Sequence, residues 1–252
     1  MGSRIATLAL SGDLSGTFQL VGAVEESGHP AMGRDLGEVL ERGRLGVHVT
    51  DQLSEPLKDA DVLIEFTRPE ATLAHLQAAA KLKKAVVIGT TGFDERGRQA
   101  IETAARSIPI VFSPNMSLGV NLLFELVQLA AERLGPDYGV KIVESHHKGK
   151  KDAPSGTAKR LQEVIGEVRQ RWHLGKEVPC ESIREGEIVG DHTVTFSGKF
   201  EVLELTHRAM NRDVFALGAL QAAGFAAKQP AALYDMSDVL KGSTHDRDRA
   251  RV

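Results

Sequence analysis

Asp61-Val62-Leu63-Ile64-Glu65-Phe66-Thr67 is the stretch whose reading decides the fold. Its apolar density is that of a strand in a parallel sheet covered on both faces. Arg68-Pro69-Glu70 then opens a helix, with Pro69 near the first helical position, where its missing N–H costs nothing. Residues 71 to 82, rich in Ala and Leu, continue that helix. Ala85-Val86-Val87-Ile88 is the next strand. It runs into Gly89-Thr90-Thr91-Gly92-Phe93, where small residues let a ligand approach the backbone. A helix over 94–106 and a strand over 108–112 follow, ending in Ser113-Pro114-Asn115-Met116. Strands alternating with helices across short loops predict an α/β fold with a doubly wound parallel, Rossmann-like sheet. Ligands of such sheets sit beyond the carboxyl ends of the strands. That singles out Glu25, Phe66-Thr67, Gly89, Thr90, Thr91, Ser113, Pro114, Asn115 and Met116.

Towards the N-terminus, Ile5, Leu8 and Ala9 follow helical spacing and Ser3 is a candidate cap. Residues 11–16, Ser-Gly-Asp-Leu-Ser-Gly, break that helix, and 18–24 read as a buried strand ending at Glu25-Glu26. Helix, turn, strand and acid form the second half of a dinucleotide-binding unit, in which the acid accepts hydrogen bonds from the adenosine ribose hydroxyls. Residues 35–42 read as a short helix and 47–49 as a short strand.

Towards the C-terminus the pattern changes. A long amphipathic helix over 121–134 closes at Gly135-Pro136. The apolar run 138–143 leads into Glu144-Ser145-His146-His147-Lys148-Gly149-Lys150-Lys151-Asp152-Ala153-Pro154-Ser155-Gly156-Thr157-Ala158, and a helical pattern runs from Thr157 to Arg171. Strand, cationic loop and helix start suit an anion held between a helix N-terminus and basic side chains. Runs at 182–189, 192–196 and 200–206 alternate and are joined by Gly-containing turns, which predicts a second α+β domain with a mixed or antiparallel sheet. The expected organisation is a dinucleotide-binding domain over 1–116 and a substrate-binding and oligomerisation domain over 117–212. Residues 213–240 are expected to return to the first domain, through a helix over 213–227 and a short element from Leu233. A charged, frayed tail is expected over 241–252.

Composition narrows the function. The 252 residues carry a net charge of -3 and only 5% aromatics, which gives no electrostatic or stacking footprint for nucleic acid. No apolar run approaches the ~20 residues of a membrane span, and no signal peptide is visible. The single cysteine, Cys180, excludes an internal disulfide framework and suits a reducing cytosol.

The fifteen residues from Glu144 to Ala158 closely resemble the signature of bacterial dihydrodipicolinate reductases, E-x-H-H-x-x-K-x-D-A-P-S-G-T-A, with every fixed position met. Residues 21–25, 66–69, 88–93, 115–121 and 206–209 also look like that family, in order. The resemblance implies a cytoplasmic enzyme of the diaminopimelate route to lysine. It would reduce cyclic hydroxy-tetrahydrodipicolinate with NADH or NADPH, losing water to give tetrahydrodipicolinate. It also implies a homotetramer formed through the sheet of the second domain. On this resemblance His146 is the acid that supplies the proton, at an ordinary pKa suited to neutral pH. Lys150 is a second donor and His147 contacts the substrate. Gly156 and Thr157 hold a substrate carboxylate at the helix start. No metal is expected, because His146 and His147 are adjacent and lack the spacing of a helical zinc pair.

Two departures matter. Family members begin with a strand and a loop of the form G-x-x-G-R-M-G, of which Met1-Gly2 match only the end. The expectation is a start read at a loop methionine, with the chain as written binding nucleotide weakly. The competing expectation is a true truncation, leaving a non-catalytic dicarboxylate-binding or scaffold homologue. Second, Glu26 stands where some members carry arginine. An acid there repels the extra phosphate of NADPH, so NADH is the expected cofactor.

Overall fold

The computed structural model describes residues 1–14 and 17–248. It resolves into two compact units, one formed by 1–116 with 215–252 and the other by 117–214.

The first unit alternates helices and parallel strands. Helix α1 (Gly2–Ala9) precedes β1 (Ala23–Val24), α2 (Leu36–Val39), β2 (Val49–Thr50) and α3 (Ser54–Asp59). Next come β3 (Val62–Glu65), α4 (Pro69–Leu82), β4 (Ala85–Ile88), α5 (Glu95–Ala105) and β5 (Pro109–Phe112). Its strands form two parallel sheets, β1-β2 and β10-β5-β4-β3, the last edge being β10 (Ala232–Tyr234). Strand β4 has all four residues buried, with β3 paired on one side and β5 on the other. Leu76, Ala79, Ile101 and Ile108 pack against it from α4, α5 and the turn before β5. Burial on both faces is what its unbroken Ala-Val-Val-Ile run anticipates.

Four expectations for this unit change. The strand expected over 18–24 shortens to Ala23–Val24: among the described residues it ladders against β2, through Val49 and Thr50. Helix α3 is an element the sequence reading does not include, and it contains Pro56. That proline lies in the first turn, where backbone N–H groups have no partner to lose. The short element read from Leu233 is strand β10 followed by α9 (Met236–Asp248), whose first turn is held by the Asp235 carboxylate accepting from the Ser237 and Asp238 N–H groups at 2.8 and 3.2 Å. The helix bounds carry the backbone to Asp248, into the expected tail. Residues 249–252 of the expected tail, and Ser15-Gly16 of the expected break, lie outside the described residues.

The second unit is a four-stranded mixed sheet with order β7-β6-β8-β9. Its elements are α6 (Leu118–Leu134), β6 (Gly139–His146), α7 (Gly156–Arg171), β7 (Cys180–Arg184), β8 (Asp191–Ser197) and β9 (Val202–Arg208). Helix α8 (Asp213–Ala226) follows and from Phe215 belongs to the first unit. Strand β6 pairs in parallel with β7 and antiparallel with β8, which in turn pairs antiparallel with β9. Leu123 and Val127 of α6 and Leu161 and Ile165 of α7 cluster with Ile142, Val194 and Phe196 of the sheet. Strand β7 lies earlier than the run read at 182–189, since parallel pairing with β6 selects Cys180–Arg184 and Gly186 turns away at φ 51°.

Candidate active site

Strand alternation builds the centre of the site in the second unit. Glu144 and His146 are two apart on β6 and share one face. Glu144 is fully buried, and its Oε2 contacts His146 Nδ1. Its Oε1 accepts from Arg184 Nη2 at 2.7 Å and from the Ser155 N–H at 3.3 Å. Arg184 comes from the neighbouring β7, opposite His146, and also donates to the Asp152 carbonyl at 2.6 Å. One buried carboxylate thus ties together β6, β7 and the loop before α7. Burial alone would raise the Glu144 carboxyl. Hydrogen bonds from Arg184 and Ser182 and the attraction of His146 overcome it and bring the pKa down to about 2.

Burial lowers the His146 pKa against the pull of Glu144, and the positive charges of Lys150 and Arg184 act in the same direction as burial. With Nδ1 engaged by Glu144, Nε2 is the nitrogen left to exchange a proton. It lies over Gly190, where a Cβ would stand 3.1 Å away, so a side chain there would crowd the ring. His192 of β8 meets His146 edge to face, with ring centroids 5.2 Å apart, and its Nε2 is 3.2 Å from Ser155 Oγ. Burial and the nearby His146 charge lower the His192 pKa to about 4, so it stays neutral at neutral pH.

Around this centre lie the other residues singled out by sequence. Lys150 Nζ is 2.8 Å from Asp152 Oδ1. The His147 N–H donates to the Ile188 carbonyl at 2.7 Å, and its own carbonyl accepts from the Lys150 N–H at 3.0 Å, which fixes the loop. Helix α7 begins at Gly156, capped by Ser155 Oγ, which accepts from the Ala158 N–H at 3.2 Å. Its first turn carries no acidic residue. Gly156 is exposed, with no neighbouring atom within 4 Å of a Cβ position, and Thr157 follows it. The pattern is an uncrowded start at the positive end of a sixteen-residue helix. Glu144, His146 and His192 also bring donor atoms within 4.8 Å of one another. Arg184 and His146 already engage both Glu144 oxygens, and the Arg184 charge opposes a cation.

The sequence reading left Glu144, Arg184 and His192 without roles. Glu144 was legible in principle, because i,i+2 spacing on a strand puts it beside His146. Arg184 and His192 were not, since only sheet register brings them to β6.

In the first unit, Gly89-Thr91 and Ser113-Met116 follow the adjacent strands β4 and β5, and the Ser113 N–H donates to the Ile88 carbonyl at 3.2 Å. Their side chains divide into two kinds. The space beside Gly89 is filled by the Phe66 ring, 2.3 Å from a Cβ position, and its N–H donates to Glu65. The lack of a side chain at Gly89 leaves room for the Phe66 ring. Thr90 is buried, its Oγ1 accepting from the Thr67 N–H at 3.0 Å and meeting Thr72 Oγ1 at 2.9 Å. Met116 is buried, and Ser113 Oγ donates to the Asn115 carbonyl at 2.9 Å. Thr91 and Pro114 are exposed. Beneath these loops Glu65 is buried, with Oε1 2.8 Å from His75 Nδ1 and Oε2 accepting from Thr67 Oγ1 at 2.9 Å. His75, without a partner in the sequence reading, is thus part of the scaffold that holds the β3–α4 loop. Glu25 follows β1, exposed, with Oε1 accepting from the Glu26 N–H at 2.9 Å. Glu26 is 3.6 Å from the Arg68 guanidinium, a neighbour the sequence did not reveal.

Comparison with known proteins decides the family. Residues 1–116 match the model described as dihydrodipicolinate reductase, N-terminus, and residues 119–240 the model described as dihydrodipicolinate reductase, C-terminus. The chain belongs to the dihydrodipicolinate reductase family. It is 43% identical to the 4-hydroxy-tetrahydrodipicolinate reductase of Syntrophus aciditrophicus (strain SB) over 255 residues, covering 95% of this chain and 94% of the relative. It is 46% identical to the protein of that name from Anaeromyxobacter sp. (strain Fw109-5) over 260 residues, covering 95% and 93%. The fold is shared with a dipicolinate-bound dihydrodipicolinate reductase from Paenisporosarcina sp. TG-14, at a TM-score of 0.75 and 22% identity over 93% of this chain and 92% of that one. The N-terminal family domain carries with it a pyridine-nucleotide cofactor.

Proposed function

We propose that this chain reduces 4-hydroxy-tetrahydrodipicolinate to tetrahydrodipicolinate with loss of water, in lysine biosynthesis through diaminopimelate. The observation that carries the reading is the buried Arg184–Glu144–His146 relay beside the open N-terminus of α7. A cyclic dicarboxylate needs a seat for its anionic groups, and Gly156, Thr157 and Lys150 supply backbone N–H groups, a hydroxyl and an ammonium. His147 contacts the substrate from the same loop. A pyridine nucleotide, when bound, would supply the hydride. His146 then gives its Nε2 proton to the developing anion, while Glu144 accepts the Nδ1–H and stabilises the imidazolium. The free imidazole is mostly neutral near pH 7, its pKa being lowered by burial. A dianion in the seat opposes the Lys150 and Arg184 charges, so substrate itself favours protonation of His146.

Glu25, Gly89, Thr90, Thr91, Ser113, Pro114, Asn115 and Met116 frame the nucleotide in this reading. Exposed Glu25, Thr91 and Pro114 reach it directly, and the buried members shape the loops. NADH is the preferred cofactor, on the charge of Glu26. The homotetramer is formed through the second sheet, whose edge strand β9 exposes Val202 and Leu203 beside the exposed Phe200. The enzyme works in the cytoplasm, where Cys180 stays reduced. Following absorbance of NADH and of NADPH with the purified chain and substrate tests the reading. Substrate-dependent oxidation, with the higher kcat/KM for NADH, is expected. No oxidation with either nucleotide would leave the non-catalytic dicarboxylate-binding reading in its place.

A further inference from the structure

A buried titratable side chain beside the proton donor takes no part in the chemistry above. His192 of β8 is 3% exposed. Its Nε2 meets Ser155 Oγ, and its Nδ1 is buried with no hydrogen-bond partner among the described residues. An unpaired buried nitrogen costs stability, and an aliphatic side chain at this place would avoid that cost. The imidazole is explained by what its other atoms hold.

Sheet register fixes where the ring stands. His192 is opposite Glu144 in the β6–β8 ladder and opposite His207 in the β8–β9 ladder. Directly opposed side chains share a face of the sheet, so Glu144, His146 and His192 come to one face. A closed circuit of four contacts results. Glu144 Oε2 contacts His146 Nδ1. The His146 ring meets the His192 ring at an interplanar angle of 77°. His192 Nε2 is 3.2 Å from Ser155 Oγ, and the Ser155 N–H donates back to Glu144 Oε1 at 3.3 Å. Ser155 Oγ already accepts from the Ala158 N–H as the cap of α7, so its hydroxyl proton is the one to give to His192 Nε2.

A single contact at Nδ1 would leave the His146 ring free to pivot about it, and the His192 ring closes that freedom on one side. The charges that act on His146 are those of Glu144 from β6, Lys150 from the loop and Arg184 from β7. Lys150 is itself paired with Asp152, and His207 of β9 acts on His192. Burial keeps His192 neutral among these groups, so a proton entering the cluster goes to His146.

We propose that His192 is a positioning residue that ties His146 to the start of α7 through Ser155. Its ring holds the His146 imidazole in line and its Nε2 holds the capping serine, so the proton donor and the carboxylate seat keep one geometry. This role rests on the reductase reading, in which His146 is the acid and α7 begins the seat.

Two variants of the full chain separate the two contacts. His192→Gln places an amide near the Nε2 position and so keeps the bond to Ser155, but it removes the ring. His192→Phe keeps a ring and removes the bond. Three quantities are measured for each: steady-state kcat and KM, calorimetric affinity for dipicolinate as a cyclic dicarboxylate probe, and the pH midpoint of His146 by histidine side-chain NMR of the ligand-free protein. His192→Gln is expected to lower kcat about tenfold at nearly unchanged KM. Its His146 midpoint should move to higher pH, because water reaches the imidazole. His192→Phe is expected to raise KM and weaken dipicolinate binding about tenfold, with a midpoint no higher than wild type. If His192→Phe does not fold, Ser155→Ala removes the same bond, leaves the ring and carries the same expectation. A wild-type midpoint in His192→Gln, or wild-type affinity in His192→Phe, would overturn the proposal. So would rates that fall only in step with melting temperature, the mark of a merely structural side chain. If the wild type neither turns over nor binds dipicolinate, the reductase reading falls, and the NMR midpoints alone decide whether His192 holds His146.

Discussion

Replacing Glu144 by Gln removes one charge and little volume from the centre of the proposed machinery. Glu144 is fully buried and holds Arg184 at 2.7 Å and His146 by Nδ1. The drop of its carboxyl pKa from 4.5 to about 2 corresponds to roughly 3 kcal/mol of native-state preference for the charged form. The sign is that of a depressed acid: this stability is present above pH 4.5 and is lost as pH falls towards 2. Glu144→Gln should therefore cost about 3 kcal/mol near neutral pH, the range for breaking a buried ion pair by removing one member. The cost should shrink as wild type is acidified, since the wild-type carboxylate then protonates. The catalytic consequence is separate. Without the carboxylate, His146 loses its largest charge-raising neighbour while Lys150 and Arg184 still oppose protonation. The pH–rate profile should move to lower pH, and kcat near neutral pH should fall about 100-fold, within the ~10²–10⁴ that a positioned acid contributes. Denaturant unfolding gives the stability change and stopped-flow NADH oxidation across pH gives the rate. A folded variant with an unchanged pH profile would refute the claim that Glu144 sets the protonation of His146.

Three further outcomes follow from particular contacts. Gly190→Ala places a methyl 3.1 Å from His146 Nε2. It should lower kcat more than it raises KM and leave the circular dichroism spectrum unchanged, as steady-state kinetics would show. His75 has its pKa raised by its hydrogen bond to Glu65, so its contribution to stability is full below its unfolded pKa near 6.5 and is lost as pH rises through the higher folded value. The thermal midpoint should decline as pH rises above about 6.5 in wild type, and His75→Gln should flatten that slope. Lys83 ends α4 in the left-handed region at φ 57°, where a side chain is strained. Lys83→Gly should stabilise the fold by about 1 kcal/mol in denaturant unfolding.

How much of this was legible depended on how local the information was. Val62–Glu65 and Ala85–Ile88 were readable because burial on both faces leaves a continuous apolar run. The segment 142–146 was readable as strand into loop, but the chemistry of Glu144 depends on Arg184, forty residues away and fixed only by the β6–β7 register. His75 and Glu65 meet because α4 packs back on its own strand, a contact ten residues apart that periodicity does not print. Small residues at 89–92 signal close approach, and at Gly89 the Phe66 ring, from a loop twenty-three residues earlier, is one group that makes it. The segment 18–24 carries strand composition throughout, yet only Ala23 and Val24 find partners. Composition states a preference, and a strand forms only where a neighbour completes its hydrogen bonds.

The central claim is that His146 donates the proton that completes reduction of the ring. The most direct measurement is single-turnover oxidation of NADH by His146→Gln beside wild type, with substrate affinity measured independently by calorimetry. Substrate binding within a few-fold of wild type and a rate at least ~100-fold lower near neutral pH are expected. Wild-type turnover in His146→Gln, with substrate bound equally well, would contradict it.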